Sequence, residues 1–419
     1  MKKIITVALA IILAFQVNGQ ERRAEIYANI EKSAGLLYPY PGPQSIQTPA
    51  PKGYKPFYIS HFGRHGSRWH TQSGTYTRPV KALSQADSAG VLTPLGKDVL
   101  ARMTVLAENA AKRQGELTPL GFRQHREIAT RMFRSFPEVF KNGRSITATS
   151  TSSPRVELSM FSFCSTLQGL NPRLEISMDA GGRHNRYLKG SSAEAEAFKK
   201  SGSWNKVKHE AEERWTNPER LISTLFADDA YVKENVNSTQ LYEDLFNSAS
   251  IALDMETDVR LHDIFTKEEL YDMWQKNSLN YYLIKGPNPA AGDSILSSSA
   301  AEIAHIITCA DEALKDGNIA ATLRFSHDSY LAPLTTCLRL DGCRTGEADP
   351  AKVADVWANY KVSPMAGNLQ FIFFRNRKDD VIVKIMLNEN EVGIPVGTDI
   401  YPFYHWNDVR KFYTDLYGL

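Results

Sequence analysis

Cysteine is scarce: Cys164, Cys309, Cys337 and Cys343 are the only four in 419 residues. No pair has the short ligand spacing of a zinc finger, which excludes a fold built around that kind of metal site. Cys164 and Cys309 fall in apolar helical patterns and read as buried free thiols. Cys337 and Cys343 are spaced for a local disulfide across Leu340-Asp341-Gly342. A dominant charge is also missing. The formal net charge is +2 with 23% charged residues, which excludes a general nucleic-acid binder and requires any basic site to be local. Long apolar runs are absent beyond the amino terminus, so no later segment approaches the ~20 residues of a membrane span. Internal repeats and low-complexity linkers are absent as well.

The one apolar run that stands out follows Met1-Lys2-Lys3 and extends from Ile4 to Phe15, with Val17 and Gly19 as small residues before Gln20. This is the build of a secretory signal peptide cut after Gly19. The run is too short for a good span, and no cysteine follows it to carry a bacterial lipid anchor. A periplasmic or secreted chain is expected, in which cysteines can oxidise.

Punctuation along the chain predicts alternating strands and helices. Glu21 to Ser33 reads as a short helix and Tyr38 to Lys55 as an extended lead-in. Thr93-Pro94-Leu95-Gly96 and Thr118-Pro119-Leu120-Gly121 each open a helix, the second with Thr118 as cap and Pro119 at the first position. Phe57 to Phe62, Ser145 to Ser150 and Ala320 to Ser326 read as buried strands. Ala366 to Phe374 and Val381 to Leu387 read as an antiparallel hairpin. Gly181 to Ser297 is rich in Trp, Tyr, Glu and Lys at helical spacing and reads as an inserted helical domain. The expected division is a signal peptide at 1–19, an α/β core at 20–180 and 298–419, and a helical cap at 181–297.

Each buried strand ends in chemistry. The first ends in Gly63-Arg64-His65-Gly66-Ser67-Arg68, where glycines let the backbone turn and two arginines flank one histidine. Guanidinium matches the oxygen geometry of phosphate, and imidazole is a nucleophile near neutral pH. The second leads into Ser153-Pro154-Arg155, placing an arginine in a first helical turn, where the dipole favours an anion. The third delivers His327-Asp328.

Arg64-His65-Gly66-Ser67-Arg68 resembles the signature of the histidine acid phosphatases, the branch of the histidine phosphatase superfamily that includes phytases and inositol polyphosphate phosphatases. His327-Asp328 resembles the same family's second motif, and Leu117-Thr118-Pro119-Leu120-Gly121 is a further likeness. The hairpin and Leu387-Asn388-Glu389 look like the inositol polyphosphate subgroup. Two departures stand out: His70 takes the place of a proline before Thr71, and His327-Asp328 stands where that subgroup often has His-Ala-Glu.

The resemblance implies an α/β fold with a three-layer core, a mainly parallel central sheet flanked by helices, and an inserted helical domain. It implies that His65 is the nucleophile and passes through a phosphohistidine, that Arg64, Arg68, Arg155 and His327 bind phosphate, and that Asp328 donates the proton. No metal or cofactor is implied. The expected substrate is a small phosphomonoester, chiefly an inositol polyphosphate such as phytate, with Thr71, Arg183, Arg186 and Lys189 as candidates for specificity. A broad-specificity acid phosphatase is the alternative within this class. A zinc hydrolase using His61, His65 and His70 is disfavoured by the intervening glycines and the lack of a glutamate between them. A non-catalytic polyanion binder would keep the arginines but has no need of His65 or Asp328.

Overall fold

The computed structural model describes residues 21–419; the expected signal peptide at 1–19 lies outside them. Eight strands form one sheet: β1 (Lys55–Arg64), β2 (Ser145–Ser150), β3 (Glu175–Ala180), β4 (Ile319–Ser326), β5 (Asn368–Arg375), β6 (Val381–Leu387), β7 (Asn390–Glu391) and β8 (Phe403–His405). Their order is β3-β2-β4-β1-β5-β6-β7, with β8 paired to β6. β3, β2, β4 and β1 run parallel, and β5 and β6 add the antiparallel hairpin beside β1. β3 has no counterpart in the sequence reading. It is an edge strand with half-exposed polar residues, so it lacks the apolar run that marks β1, β2 and β4.

The principal helices are α1 (Gly74–Ser88), α2 (Pro94–Asn109), α3 (Pro119–Ser135), α4 (Pro154–Leu170), α5 (Glu219–Leu225), α6 (Ser238–Ala252), α7 (Lys267–Lys285), α8 (Ala300–Lys315), α9 (Asp328–Cys337) and α10 (Trp406–Tyr417). Thr93 and Thr118 accept from Gly96 and Gly121 N–H as caps, with Pro94 and Pro119 just inside. Residues 21–28 are helical, and a 3-10 helix (Ile30–Leu37) follows.

Side chains alternate across β1 and so separate two apolar layers. Ile59 packs with Ile128 and Met132 of α3 and Val156, Phe163 and Leu167 of α4. Tyr58 and Phe62 pack on the other face with Ile303 and Ile307 of α8, Leu331 and Leu334 of α9, and Val409 of α10. The sheet is therefore sandwiched between helices, as the resemblance implied. Every regular element from Gly182 to Leu296 is helical. Within a separate apolar cluster, Leu83 of α1 and Val99 and Met103 of α2 pack with Leu221 of α5 and Leu245 of α6.

The structure corrects two expectations. Gly63 does not start a turn, because β1 continues to Arg64. The glycine is required by crowding instead: a Cβ there would meet the His61 ring at 2.6 Å. The Cys337–Cys343 disulfide does not form, and all four cysteines are free. Both thiols are buried, and Cys337 Sγ turns away to donate to Ile295 O at 3.1 Å.

Candidate active site

β2, β4 and β1 are parallel neighbours in register, with Arg64 beside Ser326 and Ser150 beside Phe325. Their carboxyl ends therefore open on one edge, bringing together the loop 64–68, the start of α4 and the start of α9. Backbone hydrogen bonds fix the first of these. Arg64 N donates to Gly367 O at 2.8 Å, His65 N to Ser326 O at 3.0 Å, and Ala366 N to His65 O at 2.9 Å. Gly66 N donates to Ser159 Oγ at 3.1 Å and Ser67 N to Gln124 Oε1 at 2.8 Å. These amides are committed to the scaffold, so an anion here must be held chiefly by side chains.

His65 is buried, and its Nδ1 lies 2.9 Å from Gly66 O. A carbonyl oxygen only accepts, so Nδ1 carries the hydrogen and Nε2 keeps the lone pair. Burial, reinforced by Arg64, Arg68 and Arg155, holds its pKa well below 6.5. The ring thus stays neutral, with its Nε2 lone pair free, even in acid. His327 stands edge-on to it, with centroids 5.6 Å apart. Arg155 Nη2 donates to His327 Nδ1 at 3.4 Å, leaving Nε2 to donate to Thr151 Oγ1 at 3.2 Å. Burial, then Arg155, pushes His327 down to about 4.

Arg64 is 1% exposed and rigidly held, its Nη1 donating to Leu36 O at 2.6 Å and Ser363 O at 2.7 Å. Its Nη2 lies 3.3 Å from Asp328 Oδ1, while Tyr281 Oη donates to Oδ2 at 2.9 Å. Burial alone would raise the Asp328 pKa, but Arg64, the Tyr281 hydrogen bond and Arg68 hold it below 3.8. Arg68 donates to Trp69 O at 3.0 Å and is pushed down to about 10 by burial and by Arg64. Three guanidiniums thus crowd one neutral imidazole, with the Asp328 carboxylate paired to one of them. Such an excess of fixed positive charge suits a phosphate dianion.

The profile of the histidine phosphatase superfamily (branch 2) matches residues 63–388, from the end of β1 to the turn after β6. The chain belongs to this family. Its fold is shared with the Bifidobacterium longum multiple inositol polyphosphate phosphatase solved with inositol hexasulfate, at TM-score 0.74 and 19% identity over 90% of this chain and 97% of that one. The phytase from D. castellii superposes at 0.71 with 14% identity, covering 92% of this chain and 85% of that one. A Hafnia alvei phytase solved with tartrate gives 0.53 and 13%, covering 87% and 98%. No curated protein matches the sequence.

In this chain the six residues singled out by strand-end punctuation, Arg64, His65, Arg68, Arg155, His327 and Asp328, share one edge of the sheet. The specificity candidates are divided. Thr71 is exposed beside Arg155: a Cβ on the intervening Gly115 would lie 3.3 Å from Thr71 Cγ2 and 3.5 Å from Arg155 Nη1. Lys189 lies near enough to His327 for its charge to lower that pKa. Arg183 is exposed and pairs with Asp179, and the charge of Arg186 falls on His305. His61 is packed between Phe163 and Phe325, each 5.2 Å away by centroid, so it does not converge with His65 and His70. Among the described residues, no three His, Cys, Asp or Glu side chains stand close enough to hold a metal ion.

Sequence reasoning missed several contacts. Tyr281 and Lys285 lie one turn apart on α7, and Lys285 Nζ donates to Ser329 O at 3.0 Å. Burial, then Lys199, pushes Lys285 down to about 8. Asp254, 0% exposed, sits near Ser67 and Arg68. All three residues lie in the helical stretch, where spacing reports burial but not which strand end a side chain meets. The one available signal was Lys285 at the return to the core, before Gly286-Pro287.

Proposed function

We propose that the chain hydrolyses phosphomonoesters through a phosphohistidine on His65, with inositol polyphosphates such as phytate as the favoured class. The observation that carries this is the His65 imidazole, with Nδ1 tied to Gly66 O and Arg64, Arg68 and Arg155 around it. The phosphate dianion settles among these guanidiniums and His327, each charge-assisted bond contributing about 1.5–3 kcal/mol. Nε2 attacks phosphorus in line, a P–N bond forms, and the ester P–O pair leaves with the alkoxide. Asp328 gives that oxygen its proton. Water then attacks phosphorus, Asp328 takes the water proton, and the P–N bond breaks to release phosphate and His65.

The resting charges are consistent with work in acid. Asp328 is ionised in the free site, and a bound dianion takes the guanidinium charge that keeps it so, raising its pKa. His65 stays neutral because its own pKa is so depressed. Activity is therefore expected to fall as pH rises and Asp328 loses its proton, while moderate acidity spares the nucleophile.

For the substrate class, support comes from the fold shared with enzymes named as an inositol polyphosphate phosphatase and phytases. Lys189 beside His327 and Lys285 beside Asp328 add positive charge where further phosphates would lie. The Asp328 side chain in place of a glutamate favours the second reading, a broad acid phosphatase. Rates on inositol hexakisphosphate and nitrophenyl phosphate decide between them. Rapid quench of wild type should trap acid-labile phosphate that His65→Ala lacks; turnover by that variant would end the phosphohistidine reading.

A further inference from the structure

We propose that Tyr281 is the positioning residue for the proton-donating carboxyl, clamping Asp328 by one oxygen so that the other faces the bound ester. This rests on Asp328 being the proton donor. The carboxylate is gripped at both ends, with Tyr281 Oη at 2.9 Å from Oδ2 and Arg64 Nη2 at 3.3 Å from Oδ1. The two grips differ in kind. Arg64 is among the donors that a phosphate claims, so the ester competes for it and loosens its hold on Oδ1. Tyr281 comes from α7, outside the ring of guanidiniums, and keeps Oδ2.

The tyrosine is itself well fixed. Its ring stacks on Trp357 at 6.3 Å and 22°, and Trp357 is 1% exposed. The neighbouring Tyr282 is anchored too, donating to Glu347 O at 3.0 Å and accepting from Glu347 N at 2.7 Å. Burial, then the Asp328 charge, raises the Tyr281 pKa well above 10, so Oη remains a donor throughout. With Oδ2 occupied by that hydrogen, the transferable proton resides on Oδ1. It passes to the leaving oxygen as the P–O bond breaks, and the O–H electron pair stays on Asp328.

A donor on Oδ2 also favours the ionised carboxyl, so Tyr281 lowers the pH at which Asp328 loses its proton. The other charged and titratable groups facing Asp328 are Arg64 at the end of β1, Arg68 in the loop that follows, Arg155 on α4, His327 just before α9, Lys285 on α7 and Tyr330 on α9. All persist in Tyr281→Phe, and the ring that stacks on Trp357 is retained. Loss of the hydroxyl should then raise the alkaline limb of activity while spoiling the aim of Oδ1.

The test is kcat against pH for Tyr281→Phe, Asp328→Asn and the double variant, on inositol hexakisphosphate and on nitrophenyl phosphate. For Tyr281→Phe we expect kcat on the hexakisphosphate to fall about tenfold with KM nearly unchanged. Its alkaline limb should move up by about half a pH unit or more. The nitrophenyl ester, whose phenolate leaves unaided, should be slowed far less, and Tyr281→Phe should add nothing in the Asp328→Asn background. If Asp328→Asn separates the two esters but Tyr281→Phe leaves the limb in place, Tyr281 is not the positioning residue. If Asp328→Asn slows both esters equally, the proton-donor reading falls and the Tyr281 proposal with it.

Discussion

Arg64 Nη2 stands 3.3 Å from Asp328 Oδ1, tying the strand end next to His65 to the first residue of α9. A bound dianion must share that guanidinium, and so weakens its hold on the carboxylate. Anion binding should therefore take up a proton. Calorimetric titration with sulfate, which does not itself titrate here, should show proton uptake that grows as pH falls from 6 towards 4, on the order of half a proton at most. Asp328→Asn should abolish it. Sulfate binding with no proton uptake in wild type would mean that the Arg64–Asp328 contact does not set the charge of the acid.

The division of the basic cluster gives a second expectation. Lys189 and Lys285 lie by His327 and Asp328, whereas Arg183 is engaged by Asp179. Lys189→Ala with Lys285→Met should raise KM for inositol hexakisphosphate about tenfold and leave the nitrophenyl ester nearly unchanged, because only distant phosphates lose a partner. Arg183→Ala with Arg186→Ala should do little to either. Equal KM effects from the two pairs would restore the arginines to the substrate.

The parts of this site that were legible in sequence are those set by local rules. Strand runs ending in Arg64-His65, Ser150 and His327-Asp328 announce three parallel strand ends, and Thr118-Pro119 announces a helix start. What failed to show depends on meetings between distant segments. Tyr281 and Asp328 are 47 residues apart, and nothing in the spacing of α7 points at α9. The wording Leu387-Asn388-Glu389 was legible but serves the scaffold. Asn388 Oδ1 accepts from Asn368 N at 2.9 Å, and Glu389 takes Arg131 and the Tyr40 hydroxyl. It thereby steadies the strand start beside Gly367, whose carbonyl holds Arg64 N.

Gly66 tests how tightly the 64–68 loop is packed. A Cβ there would lie 2.6 Å from Gly121 O and 2.7 Å from Gly121 Cα, both backbone atoms at the start of α3. Neither can swing aside as a side chain would, so Gly66→Ala must displace the loop or the helix. About 1–3 kcal/mol of stability should be lost, with a drop in kcat as His65 shifts. Wild-type melting and turnover in this variant would show that the two backbones have room to spare.

Asp254 offers the last test, through stability. It is 0% exposed, and neither carboxyl oxygen has a hydrogen-bond partner among the described residues. Burial raises its pKa from 3.8 to about 8, with Ser67, Arg68 and Arg64 opposing only in part. The unfolded chain releases this proton near pH 4, whereas the folded chain keeps it to about pH 8. The group's contribution to stability is therefore full below pH 4 and lost as pH rises through 8, at up to about 1.4 kcal/mol per unit. His61 and His125, each pushed down from 6.5 to about 3 by burial, act the other way and withdraw stability as pH falls from 6.5 to 3. Asp254→Asn resembles the protonated acid and cannot ionise. It should match wild type near pH 4 and exceed it by a few kcal/mol at pH 8, measured by urea unfolding at both. A stability difference that is the same at the two pH values would show that Asp254 is ionised in the folded protein and balanced by Arg68.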